Sequence, residues 1–164
     1  MTAIEILKKD HKDALDLIER IENAAGDAGA ESRVKLFDDL KEALTLHTRA
    51  EEKVFYPELE DFSETSALIE ESYKEHRKVS EILSKMDNLK TEPIGSEWKL
   101  LFDELKQNVE HHVQEEEGVL FPLAEKLLSH TELRDMFLEI ERIKSHQSLN
   151  DSLIYPSHRT GAAD

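Results

Sequence analysis

Four histidines and two glutamates carry the spacing on which chemistry could be built: His11, His47, Glu51, His76, His112 and Glu116. His47 and Glu51 are four residues apart, and so are His112 and Glu116. On a helix each pair would share one face. Imidazole and carboxylate donors without sulfur suit iron, manganese, zinc, nickel or copper. The chain has no cysteine, which removes disulfides, thiolate metal sites and thiol redox chemistry.

These residues repeat. Residues 34–57 and 99–122 align at an offset of 65 and share Leu36/Leu101, Phe37/Phe102, Asp38/Asp103, Leu40/Leu105, Lys41/Lys106, His47/His112, Glu51/Glu116, Glu52/Glu117, Val54/Val119 and Pro57/Pro122. Chance would supply roughly one or two identities in such a window. The same offset carries His11 onto His76, within Asp10-His11-Lys12 and Glu75-His76-Arg77. The chain therefore reads as two helical hairpins of one design.

The elements that must position these groups are four helices, expected near 3–25, 31–56, 65–90 and 96–121. Gly26-Asp27-Ala28-Gly29 and Thr91-Glu92-Pro93-Ile94-Gly95-Ser96 supply the breaks, and Pro57 and Pro122 should end or kink the second and fourth helices. Short connections make neighbours antiparallel, in an all-α, up-down-up-down four-helix bundle. A heptad-spaced apolar seam runs through each segment: Ile4, Leu7, His11, Ala14, Ile18, Ile21; Phe37, Leu40, Leu44, His47, Glu51, Val54; Ile69, Ser72, His76, Val79, Leu83, Met86; Phe102, Leu105, Val109, His112, Glu116, Val119. The six candidate residues stand where Leu or Ile would otherwise pack. Counted from the hairpin loops, paired histidines lie at roughly 21 and 24 Å along their helices, in one layer.

Six titratable groups in a hydrocarbon core are costly unless neutralised. Hydrogen-bonded core groups or a solvated face would account for one His-x3-Glu pair. Six groups in one layer, repeated at one offset, favour cations instead. Two histidines and one glutamate per hairpin suggest two ions, with the glutamates bridging and coordination positions left open to O2, peroxide or NO. Metals in such pairs stand about 3.5–4 Å apart.

Other residues read differently. His111 has Glu115 four residues on but maps to Leu46 and lies off the seam, so it reads as flanking. Glu52 and Glu117 also lie off the seam and read as solvated charges. His130, His146 and His158 have no repeat partner and read as surface residues. Tyr56 and Tyr73 read as packing residues, with proton donation or metal ligation as the alternative for a phenol beside an open site.

The motifs DHK at 10–12, HTRAEEKVFYP at 47–57, EHR at 75–77 and HVQEEEGVLFP at 112–122 resemble the hemerythrin-like (HHE) cation-binding domain family over about residues 3–128. The resemblance implies a four-helix bundle around a non-haem di-iron centre with an oxo or hydroxo bridge; manganese or zinc are alternatives. It implies that His11, His47, His76 and His112 are terminal ligands and that Glu51 and Glu116 bridge. Oxygen-carrying hemerythrins resemble this chain but have a fifth histidine, one turn along the third helix, where this chain has Ser80; position 72 is also Ser. They place an Asp where this chain has Glu117. The shorter pattern implies a more open site and is associated with iron or oxygen sensing, peroxide breakdown and nitric-oxide responses. A ferritin-like site would use Glu-x2-His, and a zinc hydrolase His-Glu-x2-His; neither motif is present.

The functions expected are binding or sensing of a small oxidant (O2, peroxide or NO), peroxide decomposition, or iron handling with regulation. A net charge of −16 argues against nucleic acid. The charged start MTAIEILKKDHK and the lack of a long apolar stretch argue against a signal peptide and a membrane span, so a cytoplasmic protein is expected. Residues 131–146 read as a fifth helix with Leu133, Met136, Phe137, Ile140 and Ile143 on one face. It should pack on its own bundle, a homodimer contact being the alternative. Residues 1–149 form one expected domain, and 150–164 an expected flexible tail.

Overall fold

A computed structural model describes residues 1–24, 29–90 and 95–154, apart from the side chains of 29–32 and 147–154. Helix α1 spans Ala3–Asn23, α2 Gly29–Ala50, α3 Ser66–Leu89, α4 Ser96–Glu115, α5 Phe121–Leu127 and α6 His130–Ile154. No strand occurs among the described residues. Of the breaks expected at 26–29 and 91–96, residues 26–28 and 91–94 lie outside them, while Gly29 and Ser96 fall in α2 and α4. Helix α1 starts with a capping box: the Thr2 amide donates to Glu5 Oε2 at 2.7 Å, and the Glu5 amide donates to Thr2 Oγ1 at 3.4 Å.

Helix α1 packs along α2, and α3 along α4, giving the expected pair of hairpins. Their equivalence extends to the surface. Lys41 pairs with Asp87 at 3.0 Å, and their repeat equivalents, Lys106 (65 residues after Lys41) and Glu22 (65 before Asp87), pair at 2.6 Å. Such exposed pairs contribute little energy, but they show that the hairpins pack with the same register.

The core forms two apolar clusters. One holds Ile4, Leu7, Val54, Phe55, Leu59, Ile69, Leu120 and Phe121. The other holds Ala14, Ile18, Phe37, Leu44, Val79, Met86, Trp98, Phe102 and Val109. On each of α1, α2, α3 and α4 a candidate histidine lies between the two clusters, so the polar layer is sandwiched between hydrocarbon.

Neither α2 nor α4 continues as regular helix through its glutamate. Glu51–Phe55 and Glu116–Leu120 each form a π-helical turn. The Tyr56 amide donates to Glu51 O, and the Phe121 amide to Glu116 O. Each wide turn advances the phase by one residue. The seam expectation therefore fails at Val119, which is 46% exposed, while Leu120 and Phe121 are buried in its place. Pro122 does not stop the helical run that continues α4: it follows the π turn directly, and α5 runs on to Leu127. Around Pro57 the chain makes one 3-10 turn, Tyr56–Glu58, and the helical run of α2 ends there.

Helix α6 packs on α1, α2 and the Glu51–Phe55 turn. Leu133, Met136 and Ile140 are buried and join the first cluster. The helix continues to Ile154, past the boundary expected at 150. The remainder of the expected tail, with His158, lies outside the described residues.

Candidate metal centre

All six candidate residues are buried, none more than 7% exposed. Their rings meet in one layer: His11 and His47 lie 4.7 Å apart between centroids, His76 and His112 4.8 Å, and His11 and His112 6.4 Å. Each imidazole turns Nε2 inward. His11 Nε2 is 3.1 Å from Glu116 Oε2, His47 Nε2 is 3.1 Å from Glu51 Oε1, and His76 Nε2 is 3.1 Å from Glu51 Oε2. His112 Nε2 is 3.5 Å from Glu116 Oε2 and 3.8 Å from Glu51 Oε2. His11, His47, Glu51 and Glu116 form one group with metal-binding spacing; Glu51, His76 and His112 form another.

Each outward Nδ1 meets a carboxylate. His11 meets Glu117 at 2.8 Å, His76 Glu52 at 2.9 Å, His47 Asp10 at 3.3 Å and His112 Glu75 at 2.6 Å. These partners obey the repeat: Asp10 maps to Glu75 and Glu52 to Glu117. A carboxylate on Nδ1–H fixes the tautomer that leaves the Nε2 lone pair pointing inward. Glu52 and Glu117 are about one-third exposed, as solvated charges would be, yet each spends one oxygen on a histidine. Sequence spacing hides this role because the contact crosses between helices. Glu52, in the π turn after α2, serves the third helix, and Glu117, in the π turn after α4, serves the first.

Four inward atoms have no hydrogen-bond partner: His11 Nε2, His47 Nε2, Glu51 Oε1 and Glu116 Oε2. They lie close together without the alignment of a hydrogen bond. Buried polar atoms left in this state are rare in folded proteins, and a shared cation would satisfy all four once it displaces any proton from the inner imidazole nitrogens. The residues present therefore fit a metal.

The other half of the centre differs. Tyr56 is fully buried, and its hydroxyl donates to Glu116 Oε1 at 2.6 Å and reaches Glu51 Oε2 at 3.1 Å and His76 Nε2 at 3.2 Å. Its ring stacks on His76, with centroids 5.4 Å apart. The repeat partner, Phe121, stacks on His11 at 5.6 Å and has no hydroxyl. Five residues of regular helix would turn Tyr56 about 140° from Glu51. The π turn instead sets it over Glu51, and only a prediction of that turn could have placed it. Tyr73 sets its ring edge-on to Tyr56 at 5.3 Å and serves packing.

The electrostatics follow from burial and from these contacts. Burial alone would favour a neutral His47, but Glu51 and Asp10 outweigh it and raise its pKa to about 9. Burial likewise opposes charge on His112, yet Glu116, Glu51 and Glu75 raise it well above the ordinary value. Burial disfavours an ionised Glu51, but His47, His112 and His76 hold its carboxyl well below the usual range. Burial, then Glu51 and Glu116, push the Tyr56 phenol well above 10, so it stays protonated. Without metal, imidazolium charge compensates carboxylate charge at the same positions a cation would serve.

Outside the layer, His111 is exposed, with Nε2 3.4 Å from Glu75 Oε1 and 3.7 Å from Glu115 Oε1; it flanks the centre. His130 and His146 are exposed. Among the described residues no helix is long and apolar enough to cross a membrane.

Comparison with known proteins agrees with this geometry. The sequence matches the Hemerythrin HHE cation binding domain over residues 2–124. It is 34% identical, over 103 residues, to an uncharacterized hemerythrin-like protein of Schizosaccharomyces pombe, a match covering 62% of this chain and 50% of that protein. The chain thus spans about half the length of that relative. The crystal structure of a hemerythrin HHE cation binding domain-containing protein from Mycobacterium kansasii superimposes with a TM-score of 0.76 at 26% identity, covering 96% of this chain and 95% of that one. With its helical bundle, its repeated His-x3-Glu hairpins and its inward-facing imidazoles, the chain belongs to the hemerythrin HHE cation-binding domain family.

Proposed function

We propose that this protein holds two iron ions between its hairpins and uses them to bind or sense a small oxidant: O2, peroxide or NO. The observation that carries the reading is the cluster of four buried, unpartnered atoms on His11, His47, Glu51 and Glu116. His11 and His47 would serve one ion and His76 and His112 the other, with Glu51 and Glu116 shared. Bound iron would supply the electrons and the ligand positions that no side chain here provides.

The protein's own groups have definite tasks. Asp10, Glu52, Glu75 and Glu117 orient the imidazoles from outside. The two apolar clusters keep bulk water from the layer. Tyr56 holds a proton at its hydroxyl, 2.6 Å from Glu116. That proton favours a second reading, decomposition of hydrogen peroxide, in which a protonated group beside the reacting oxygen is an asset.

Metal analysis of freshly purified protein with optical spectra tests the proposal. About two irons per chain, with an oxo-to-iron absorption that changes on adding O2, peroxide or NO after reduction, is the expected result. A chain that takes up no iron, or a reduced spectrum indifferent to all three, would refute it. Oxygen released from peroxide beyond a free-iron control would select the second reading.

A further inference from the structure

The repeat that builds the centre also builds two grooves, and they are not alike. One lies between α2 and α3, has a volume of about 270 Å3, and includes Thr48, His76 and Ser80 in its wall. Its repeat counterpart lies between α1 and α4, about 520 Å3, and includes Leu15, Val113 and Gln114. At an offset of 65, Thr48 maps to Val113, Ser80 to Leu15 and Arg49 to Gln114. The larger groove is blind: none of the six candidate ligands is among the described residues lining it. The smaller one reaches His76.

Inside the bundle a cavity of about 20 Å3 touches all four histidines. That is room for about one water-sized molecule, which needs roughly 10–15 Å3. The cavity shares Leu44, Thr48, His76 and Val79 with the α2–α3 groove, but only Val113 with the α1–α4 groove. Where one groove has a serine and a threonine, the other has a leucine and a valine. The bulkier Leu15 fills space that Ser80 leaves open.

We propose that the centre is reached from one side only, through the α2–α3 groove past Thr48 and Ser80, by a small hydrogen-bonding ligand of the size of hydrogen peroxide or water, and that Leu15 and Val113 plug the equivalent route. The hydroxyls of Thr48 and Ser80 can exchange hydrogen bonds with such a ligand in transit; the plugged side offers hydrocarbon. The route ends at His76, whose Nε2 lies 3.2 Å from the Tyr56 hydroxyl. Entrance and phenol therefore serve the same half of the centre, which gives the Tyr/Phe asymmetry and the Ser/Leu asymmetry one direction.

This inference rests on the small-oxidant reading for its ligand, but the route itself can be tested without metal. Deuterium labelling of the histidine C2 positions of the metal-free chain in D2O, resolved by mass spectrometry, reads access of water and should proceed faster at His76 than at His11. The double substitution Thr48→Val with Ser80→Leu should slow His76 to the rate of His11. In the iron-loaded chain the same substitutions should slow association of azide, used as the probe, by about tenfold, the effect of a modest added barrier. Dissociation should slow equally, leaving affinity unchanged, and adding Leu15→Ser with Val113→Thr should restore the rate. Ser80→Leu alone, at an exposed position, serves if the double variant does not fold by circular dichroism. Equal labelling of His11 and His76 in the unaltered chain, or azide association indifferent to the closing substitutions, would overturn the route. An iron-loaded chain that takes up no azide would instead count against the small-oxidant reading, and the labelling would still decide the route.

Discussion

Tyr56 is the residue at which the two halves of the centre part company. Its ring does for His76 what Phe121 does for His11, so Tyr56→Phe would copy the other half and remove only the hydroxyl. Glu116 Oε1 would then lose its donor at 2.6 Å. Leaving a buried acceptor unpaired costs about 1–3 kcal/mol, so the metal-free variant should melt lower than the parent. If the phenol supplies a proton, the iron-loaded variant should keep its two irons and release oxygen from peroxide about a hundredfold more slowly. A variant equally fast would take Tyr56 out of the chemistry, and one that lost its iron would make it a holding group. The outer carboxylates make a separate prediction. Asp10→Asn keeps the shape but removes the charge that faces His47 Nδ1 at 3.3 Å. Loss of such a partner lowers metal affinity by about 10–100-fold, which competition with a chromophoric chelator would measure. The inner residues were legible in the sequence because they break an apolar seam at a repeated offset. The roles of Glu52 and Glu117 were not, and Tyr56 was legible only as an alternative to packing. Their contacts depend on which helices face each other and on a turn wider than the regular one.

The elements explain both the successes and the misses of that reading. Heptad spacing is a property of straight α-helix, and it places Leu7, Leu40, Val79 and Leu105 correctly in the core. At the π turns its success is mixed: it places Val54 of Glu51–Phe55 correctly, misplaces Val119 of Glu116–Leu120, and leaves Tyr56 off the seam although it is buried. No residue in those turns announces the change of phase; two turns at equivalent places, each next to a glutamate of the centre, point to function as its cause. Helix α6 lies outside the repeat yet touches the centre's periphery. Lys144 donates to both oxygens of Asp10 at 2.5 Å, and Asp10 in turn holds His47. Burial raises the Asp10 pKa, but its hydrogen bonds with His47 and Lys144 more than reverse that and keep it ionised. Packing and positioning can therefore be separated on one helix. Ile140 is fully buried, and Ile140→Ala should lower stability by about 2–5 kcal/mol while leaving the folded chain's metal affinity unchanged. Lys144→Met keeps much of the aliphatic stem and removes the ammonium, so it should weaken metal binding with a smaller loss of stability. Thermal melts and chelator competition on both variants would check this, and the reverse pattern would mean that α6 only packs.

At the scale of the whole molecule, a layer of six ionisable groups divides the apolar core into two clusters. Without metal, raised imidazole pKa values at His47 and His112 set positive charge against Glu51 and Glu116, and the Tyr56 hydroxyl donates to Glu116. The metal-free chain should therefore fold near neutral pH, held by fewer satisfied contacts than the metal-bound chain, since four inward atoms remain unpartnered. A cation that binds the folded chain and not the unfolded one adds stability set by its concentration relative to its dissociation constant, about 2.7 kcal/mol at a hundredfold excess. Zinc, which brings no redox chemistry, should then raise the melting temperature by several degrees and continue to raise it with each further tenfold of free metal. His47→Ala with His112→Ala removes one histidine from each hairpin and should abolish most of that rise. A melting temperature indifferent to zinc in the unaltered chain would mean that protonated histidines alone satisfy the layer, and that the inward-facing atoms are not a metal site.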